Sequence, residues 1–196
     1  MYFFECDDEW NTIHSEDLWV YDKLFLSRLL GYTCGPVGTT VPKPDFYIVR
    51  PVTNFLGMGR FARKEWIENY TDMFHPGEFW CEIFTGDHLS VDFHNQKSEL
   101  VVLGTRDEDE PYYKWKKWEK MDQKVDFPEI LKNLKGYYDW INCEFIGNKL
   151  IEVHFRQNPD FRYENSVAIP VWDDENYDDM NFIEDVDYLR KGFYIK

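Results

Sequence analysis

The sequence has few cysteines, and none of them is spaced as a zinc-binding pair. Its four cysteines, Cys6, Cys34, Cys81 and Cys143, are far apart in a chain of 196 residues. A structural zinc site of the thiolate type usually needs a Cys-x-x-Cys pair, which this sequence lacks. A disulfide framework is typical of smaller, cysteine-rich secreted chains. We therefore expect a reduced, cytoplasmic protein.

The sequence also lacks long apolar runs and an excess of basic residues. No stretch approaches the ~20 apolar residues of a membrane helix, and the N-terminus has no signal-peptide pattern. Lys and Arg number 22 against 37 Asp and Glu, which gives a net charge of −15. Such a surface repels nucleic acids and anionic membranes, so we expect neither among the partners.

Aromatic residues make up 19% of the chain and apolar residues 43%, which is enough to build a hydrophobic core. Predicted strands come in neighbouring groups with helices between the groups, which favours an α+β fold over a doubly wound parallel sheet. Strands are predicted at 45–51, 78–84, 88–94, 99–104, 137–146 and 149–156. Helices are predicted between Ser15, which precedes the first one, and Gly31, which stops it, and also at 64–74 and at 127–136.

Two segments allow more than one interpretation. Residues 112–121, YYKWKKWEKM, fit a helix or a strand. Their alternation of aromatic and basic side chains is used by proteins that stack single-stranded nucleic acid, but the net charge favours a plain amphipathic surface. Residues 173–187 carry eight acidic residues and are expected to form a solvated or mobile tail.

The last two predicted strands form one β-hairpin, whose register depends on its loop. A two-residue turn would put Glu144 opposite the apolar Ile151. A three-residue loop, 147–149, puts Glu144 opposite Glu152 and leaves the other face consistently apolar. Because register follows the apolar pattern, we favour the three-residue loop.

This register brings chemically active side chains together on one face. It sets Glu144 directly opposite Glu152, and Asn142 opposite His154. Opposed like charges destabilise a sheet unless one acid is protonated or a divalent cation lies between them. Two carboxylates are natural ligands for such a cation. The alternative is that both acids are simply solvated.

Four segments occur in the same order as the motifs of the ATP-grasp superfamily, the ATP-dependent carboxylate–amine ligases and their relatives. YDKLFLSRLLGY resembles the Asp-Lys helix whose lysine reaches ATP phosphate, which implies this role for Lys23. YIVRPVTNFLGMG resembles a strand ending in Lys-Pro and the glycine loop that closes over the phosphates. The resemblance implies phosphate binding by Arg50, Gly57 and Gly59.

The other two segments resemble the hinge and the metal hairpin of the same superfamily. FWCEIFTGDHLSVDF resembles the hinge that holds adenine and ribose, which implies Glu82 and His88. CEFIGNKLIEVHFR resembles the hairpin that binds the metal ion and carries the arginine that neutralises the reaction intermediate. The positions implied there are Glu144, Glu152 and His154 for the metal and Arg156 for the intermediate.

The resemblance implies an ATP-grasp-like fold of two small lobes with a nucleotide cleft between antiparallel sheets. The small N-terminal lobe would cover about residues 16–80, the metal and nucleotide lobe about 81–165, and the acidic tail about 166–196. The implied activity is ATP- and Mg²⁺-dependent ligation of an unknown carboxylate to an amine through an acyl phosphate, with Arg50 and Arg156 as catalytic groups. Mn²⁺ is the alternative metal, because an imidazole, His154, stands where the superfamily has asparagine.

The N-terminal domain of the superfamily has almost no counterpart before Lys23, so a protein partner that supplies it is also implied. A rival interpretation is a non-catalytic acidic binding protein that retains the ATP-grasp scaffold. A third is a nucleotidyl- or phosphotransferase that uses the same ATP cleft.

Overall fold

The computed structural model describes residues 12–53, 59–70, 75–173, 176–177, 179–187 and 189–196. In this part of the chain, two antiparallel sheets carry most of the regular structure and the helices are short. The expected α+β fold with two antiparallel sheets is confirmed, although helix is scarcer than the sequence indicated. No helix in the described ranges has the length and apolar character needed to cross a membrane.

The small sheet has four strands in the order β1-β4-β2-β3. They are β1 (Cys34–Pro36), β2 (Asp45–Pro51), β3 (Arg63–Ile67) and β4 (Glu78–Glu82). β2 has partners on both sides, and its alternate residues Tyr47 and Val49 are buried in the lobe's core with Trp80. Arg50, the next residue of β2, is therefore held by a strand that is fixed at both edges.

The helix predicted at 64–74 is wrong where the structure describes it. Residues 63–67 form β3, and Trp66 lies directly opposite Phe46 of β2, with ring centroids 5.2 Å apart. A cross-strand aromatic pair of this kind stabilises a sheet, and tertiary pairing outweighs a helical pattern in a short segment. Residues 71–74 lie outside the described ranges.

The large sheet has eight strands in the order β11-β12-β10-β7-β6-β5-β8-β9. Its first strands are β5 (His88–His94), β6 (Lys97–Thr105), β7 (Lys117–Lys120), β8 (Trp140–Ile146) and β9 (Lys149–His154). The ambiguous segment 112–121 thus contains a strand, β7. The remaining strands are β10 (Val167–Val171), β11 (Asn181–Asp187) and β12 (Arg190–Ile195).

Strands β10 to β12 correct in part the expectation that the acidic tail is a solvated or mobile segment, because its residues 181–187 form the strand β11. β12 runs between β10 and β11, and its Phe193 packs into the apolar cluster formed with Leu100 and Val102 of β6. Arg190, also in β12, is 5% exposed and forms an ion pair of 2.9 Å with Asp160. The buried residues that attach this segment belong to β12 and follow the acids, whereas the described residues of 173–186 are exposed or half-buried.

The β8–β9 hairpin has the predicted facing residues but a different loop. Glu144 is paired with Glu152, yet the tip is a two-residue turn that pairs Ile146 with Lys149. A β-bulge between the two pairings absorbs the difference, with Ile151 as the extra residue of β9. The three-residue loop is therefore wrong, while the register of the acids is as predicted.

The back face of the large sheet is the main core of the protein. Valines and aromatics of β5, β6, β8 and β9 pack there against Val20 and Leu26. The covering elements are a 3₁₀ helix at Ser15–Tyr21, the helix α1 (Lys23–Leu29) and a 3₁₀ helix at Glu129–Asn133. These replace the longer helices predicted between Ser15 and Gly31 and at 127–136.

Helix α1 begins at Lys23 because Asp22 interrupts the predicted helix. Asp22 has an extended backbone, and its side chain accepts a hydrogen bond from the Phe25 amide at 2.8 Å. This is an N-cap, which satisfies one of the unpaired amides at a helix start. The Lys23 amide donates to the Val52 carbonyl at 2.8 Å, so the start of α1 is joined to the end of β2.

Candidate functional site

A cavity of about 980 Å³ lies where the small sheet faces the polar front of the large sheet. Its lining comes from β2 and β4 on one side and from β5, β6, β8 and β9 on the other. Nearly all of the site residues implied by the resemblance line this cavity: Lys23, Arg50, Gly59, Glu82, His88, Glu144, Glu152, His154 and Arg156. Gly57 lies outside the described residues.

Glu152 of β9 occupies the centre of a cluster of basic groups. Its carboxylate lies 3.5 Å from the Nζ of Lys23 and 3.3 Å from the Nε2 of His154. The side chains of Lys23 and Glu152 are 9% and 17% exposed. This ion pair connects α1, which begins beside the small sheet, to the edge strand of the large sheet.

The pKa shifts of this cluster follow from burial opposed by charge. Burial alone would raise the pKa of Glu152, but Lys23, His154 and Arg50 hold its pKa well below the usual value. Burial lowers the pKa of Lys23, and the nearby positive charge of Arg50 lowers it further, whereas the attraction of Glu152 opposes this shift. The two shifts point in different directions for the ion pair: the lowered pKa of Glu152 favours its charged form, whereas the lowered pKa of Lys23 disfavours its charged form. The Glu152 carboxylate is ionised, because three basic side chains surround it. The Lys23 ammonium is stabilised by Glu152, but burial disfavours its charge.

Arg50 joins the two sheets across the cavity. Its side chain is buried at the end of β2, and Nη2 donates to the carbonyl oxygen of Ile151 at 3.1 Å. Ile151 is the extra residue of the β9 bulge, so the bulge supplies the acceptor. The guanidinium also lies 5.3 Å from the centre of the Phe79 ring. Arg50 is thereby held as a fixed positive charge near Glu152.

Glu144 lies beside Glu152 on the sheet but has a different partner. Its Oε2 is 3.2 Å from the Nε2 of His88, on the neighbouring strand β5. The side chains of Glu144 and His88 are 28% and 18% exposed, so both remain accessible from the cavity. Each of the two facing carboxylates therefore lies next to an imidazole.

Glu82, which the resemblance implies as the hinge acid, is hydrogen-bonded to the backbone of Thr33. It ends β4, and its Oε1 accepts from the amide of Thr33 at 2.7 Å, while its own amide donates to the Thr33 carbonyl at 2.9 Å. Gly59 also lines the cavity and has a positive φ of 66°, a conformation that glycine adopts readily. Both residues line the cavity, but Glu82 already uses one carboxylate oxygen.

A buried polar network behind Arg156 was not predicted. Asp92 is 1% exposed, and its Oδ1 accepts from the Asn142 side chain and from the Asn158 amide, both at 2.8 Å. Asn142 and Asn158 also donate to the Ser90 hydroxyl, each at 2.9 Å. Burial raises the pKa of Asp92, while these bonds oppose the rise.

This network fixes the segment that follows β9. Asn158 attaches the segment to the sheet, and its side chain accepts from the Asp160 amide at 2.8 Å. Arg156 and Asp160, on either side of Asn158, both line the cavity. The alternation of HLSVDFH carried a signal for this network, because Ser90 and Asp92 share the face of His88.

The carboxylates fit a divalent cation only together with another ligand. No group of three or more His, Cys, Asp and Glu side chains within the described ranges forms a ready metal cluster. Glu144 and Glu152 offer hard oxygen donors from adjacent positions, as Mg²⁺ prefers. Mg²⁺ commonly completes its shell with phosphate oxygens and water, so two carboxylates suffice when a nucleotide is bound.

Comparisons with known proteins give structural likeness alone. No protein-family model and no curated protein matches the chain. One similar solved structure is described as an ATP-grasp superfamily protein from Archaeoglobus fulgidus, with 12% identity and a TM-score of 0.46 over 90% of this chain. Another is the ATP-grasp ligase PsnB complexed with a minimal precursor, with 13% identity and a TM-score of 0.36 over 70% of this chain.

The chain spans 63% of the first of these proteins and 51% of the second. Both descriptions name the superfamily that the sequence resembles. Because both TM-scores are below 0.5, this likeness does not assign a function.

Proposed function

We propose that the cavity binds ATP with Mg²⁺ and that the protein ligates a carboxylate to an amine through an acyl phosphate. The observation that carries this proposal is the meeting of opposite charges from separate elements. Lys23 and Arg50, at the small-lobe side, face Glu144 and Glu152 of the large sheet in one cavity.

Two buried cations give the cavity a site for phosphate. Charges that face a shared, largely dehydrated space interact more strongly than charges in water. A guanidinium can bind phosphate oxygens through two N–H groups, and a lysine acts as a point charge. Burial disfavours the charged form of Lys23. The negative charge of bound phosphates would compensate the buried ammonium and so stabilise its charged form.

Glu144 and Glu152 would hold the metal ion. His88 and His154 would then act by orienting these carboxylates, since each lies within 3.3 Å of one of them. When bound, Mg²⁺ would neutralise charge on the β and γ phosphate oxygens. Hydrogen bonding from an imidazole to a ligand carboxylate is a common way to fix such a ligand.

The proposed chemistry has two balanced steps. A carboxylate oxygen of the substrate attacks the γ-phosphorus, the bond to the bridging oxygen breaks, and ADP leaves with that bond's electron pair. The nitrogen of an amine then attacks the acyl carbon, inorganic phosphate leaves, and the amine loses a proton. Arg156, at the cavity edge beside Asn158, would neutralise charge on the acyl phosphate.

Thermal unfolding with Mg-ATP is the first test of the proposal. At 100 times the dissociation constant, a ligand stabilises a protein by about 2.7 kcal/mol, and Lys23→Met should remove that stabilisation. The matched control is Lys43→Met, because the Lys43 side chain is 72% exposed and does not line the cavity. Loss of the Mg-ATP effect in both variants, or in neither, would contradict the phosphate role of Lys23.

Trapping of the intermediate tests the reaction itself. Hydroxylamine converts an acyl phosphate into a hydroxamate, so a pool of carboxylic acids with Mg-ATP should give hydroxamate and equimolar ADP. Binding of Mg-ATP without hydroxamate or acid-dependent ADP from a broad pool would favour the rival, a non-catalytic nucleotide-binding scaffold. Transfer of a nucleotidyl group would appear as pyrophosphate instead of ADP.

A further inference from the structure

Aromatic side chains line part of the cavity, and one of them, His88, is also the residue that lies against Glu144. They are His88, Tyr112, Trp115 and Trp118, and are called the aromatic wall below. The Trp115 ring centre lies 4.6 Å from that of His88 and 4.4 Å from that of Trp118. Arg106 lies over the Tyr112 ring at 4.0 Å. The wall therefore combines ring faces with one positive charge.

Gly104 makes this arrangement possible. It is paired with His88 on one side and with Trp118 on the other. A Cβ at Gly104 would lie 2.5 Å from Trp118 and 2.8 Å from Trp115, so any larger residue would displace the indoles. The absence of a side chain lets both indoles lie close to the strand, next to the imidazole.

Trp115 is positioned by its backbone and not only by packing of its ring. Its carbonyl oxygen accepts from the Trp172 indole at 2.7 Å, and the next amide, of Lys116, donates to Thr105 at 2.9 Å. Trp118 is 4% exposed and belongs to the apolar cluster, whereas Trp115 packs against that cluster and remains half-buried at the cavity. Such a fixed, partly open indole is suited to stacking with a ligand.

The indoles of the wall and the segment that joins β4 to β5 lie in opposite directions from His88. Across the sheet, Gly104 and Trp118 follow His88 in one direction, and Ile146 follows it in the other. In the segment that resembles the hinge, Gly86 lies next to Gly147, which follows Ile146, and Ile83 and Phe84 line the cavity. The cavity, at about 980 Å³, is near the upper end of the ~300–1,000 Å³ range of small-molecule pockets. It has room for a second ligand beside a nucleotide.

We propose that the aromatic wall is a subsite for a planar aromatic ring carried by the carboxylate substrate. This inference rests on the proposed function, since it names the class of acid that the ligation would use. The ring would stack against Trp115. The carboxylate would extend past His88 toward Glu144, where the proposed phosphoryl transfer takes place.

Binding of matched acids tests the subsite. Two pairs of acids are compared. The first is phenylacetate with cyclohexylacetate, and the second is benzoate with cyclohexanecarboxylate; in each pair the first acid has an aromatic ring and the second a saturated one. Ligand-observed NMR titration of the full chain, with and without Mg-ADP, should show tighter binding of the aromatic member of a pair. Trp115→Leu should weaken that member about threefold to tenfold, the typical value of an aromatic pair, and abolish the preference.

Controls separate this inference from its alternatives. Trp66→Leu changes a tryptophan that is 52% exposed on the small sheet and should leave all affinities unchanged. Tyr112→Leu provides a second wall variant if Trp115→Leu does not fold, as judged by thermal unfolding. Equal or absent binding of both members of each pair overturns the inference. The inference is also overturned if Trp115→Leu weakens the binding of Mg-ATP by the same factor as the binding of the aromatic acid, because the wall would then hold the nucleotide base.

Failure of the proposed function would look different. If Mg-ATP does not bind the wild-type protein at all, the nucleotide role of the cavity is wrong. The aromatic preference and its loss in Trp115→Leu are measured without nucleotide as well, so they support or overturn the ring subsite independently.

Discussion

Breaking the ion pair between Lys23 and Glu152 should destabilise the protein in a way that depends on both residues. The pair joins α1 to β9 across the cavity, with Nζ and Oε1 3.5 Å apart. Replacing one partner by a neutral residue leaves the other charge poorly compensated in a largely buried place. A double-mutant cycle of Lys23→Met and Glu152→Gln therefore measures how strongly the two charges interact.

The magnitude follows from distance and exposure. Two unit charges about 4 Å apart attract by roughly 4 kcal/mol at the effective dielectric of a protein surface. The side chains are 9% and 17% exposed, which leaves water contact through the cavity, and His154 and Arg50 partly replace Lys23 when it is removed. We expect each single change to cost about 1–3 kcal/mol and the coupling energy to be about 1–2 kcal/mol.

Urea unfolding at neutral pH of the wild type, both single variants and the double variant gives the coupling energy. The control cycle uses Lys116 and Asp107, whose side chains lie 3.0 Å apart but are 65% and 61% exposed. Exposed pairs of this kind couple weakly, so about 0.5 kcal/mol or less is expected. If the Lys23–Glu152 cycle is additive within the same margin, the two charges do not interact across the cavity and the reasoning is refuted.

Three further predictions concern the same fold. Because the pKa of Glu152 is lowered in the folded protein, its charge stabilises the fold above the usual value of 4.5 and loses this effect as the pH falls through the folded value. The midpoint temperature of thermal unfolding, measured at a series of pH values, should therefore fall less steeply in acid for Glu152→Gln than for the wild type. Gly104→Ala should cost about 1–3 kcal/mol in urea unfolding, because the new methyl group would overlap Trp115 and Trp118. Asn142→Ala should cost at least about 2 kcal/mol, because it removes two buried hydrogen bonds and leaves Asp92 with less compensation. Unchanged midpoints in either variant would contradict the corresponding contact.

Strands were predictable where apolar and polar residues alternate over a full strand. HLSVDFH alternates in this way, and DFYIVRP is a short apolar run closed by Pro51; both form strands with the bounds expected. The facing of Glu144 and Glu152 was predictable because an apolar face fixes register. The bulge at Ile151 was not, since a one-residue insertion changes the loop while leaving the faces of the other residues intact.

Elements that depend on distant partners were not predictable. β3 forms because it pairs with β2. The apolar residues of β3 have the spacing of a helix, so the local sequence does not indicate this pairing. β12 is similar, since Arg190 is buried only because Asp160 lies beside it. The aromatic wall depends on a glycine in β6 and on a loop, 106–116, whose conformation no local pattern indicates.

Calorimetric titration of ATP, with and without Mg²⁺, tests the central claim most directly. The claim is that Glu144 and Glu152 share a cation with a nucleotide held by Lys23. The wild-type protein should bind Mg-ATP. Omission of Mg²⁺, or the substitution Glu144→Gln, should weaken binding at least about tenfold. The control Glu99→Gln, which changes an exposed side chain on β6, should leave binding unchanged. Equal binding of ATP without the metal ion, or undiminished binding by Glu144→Gln, would contradict the account.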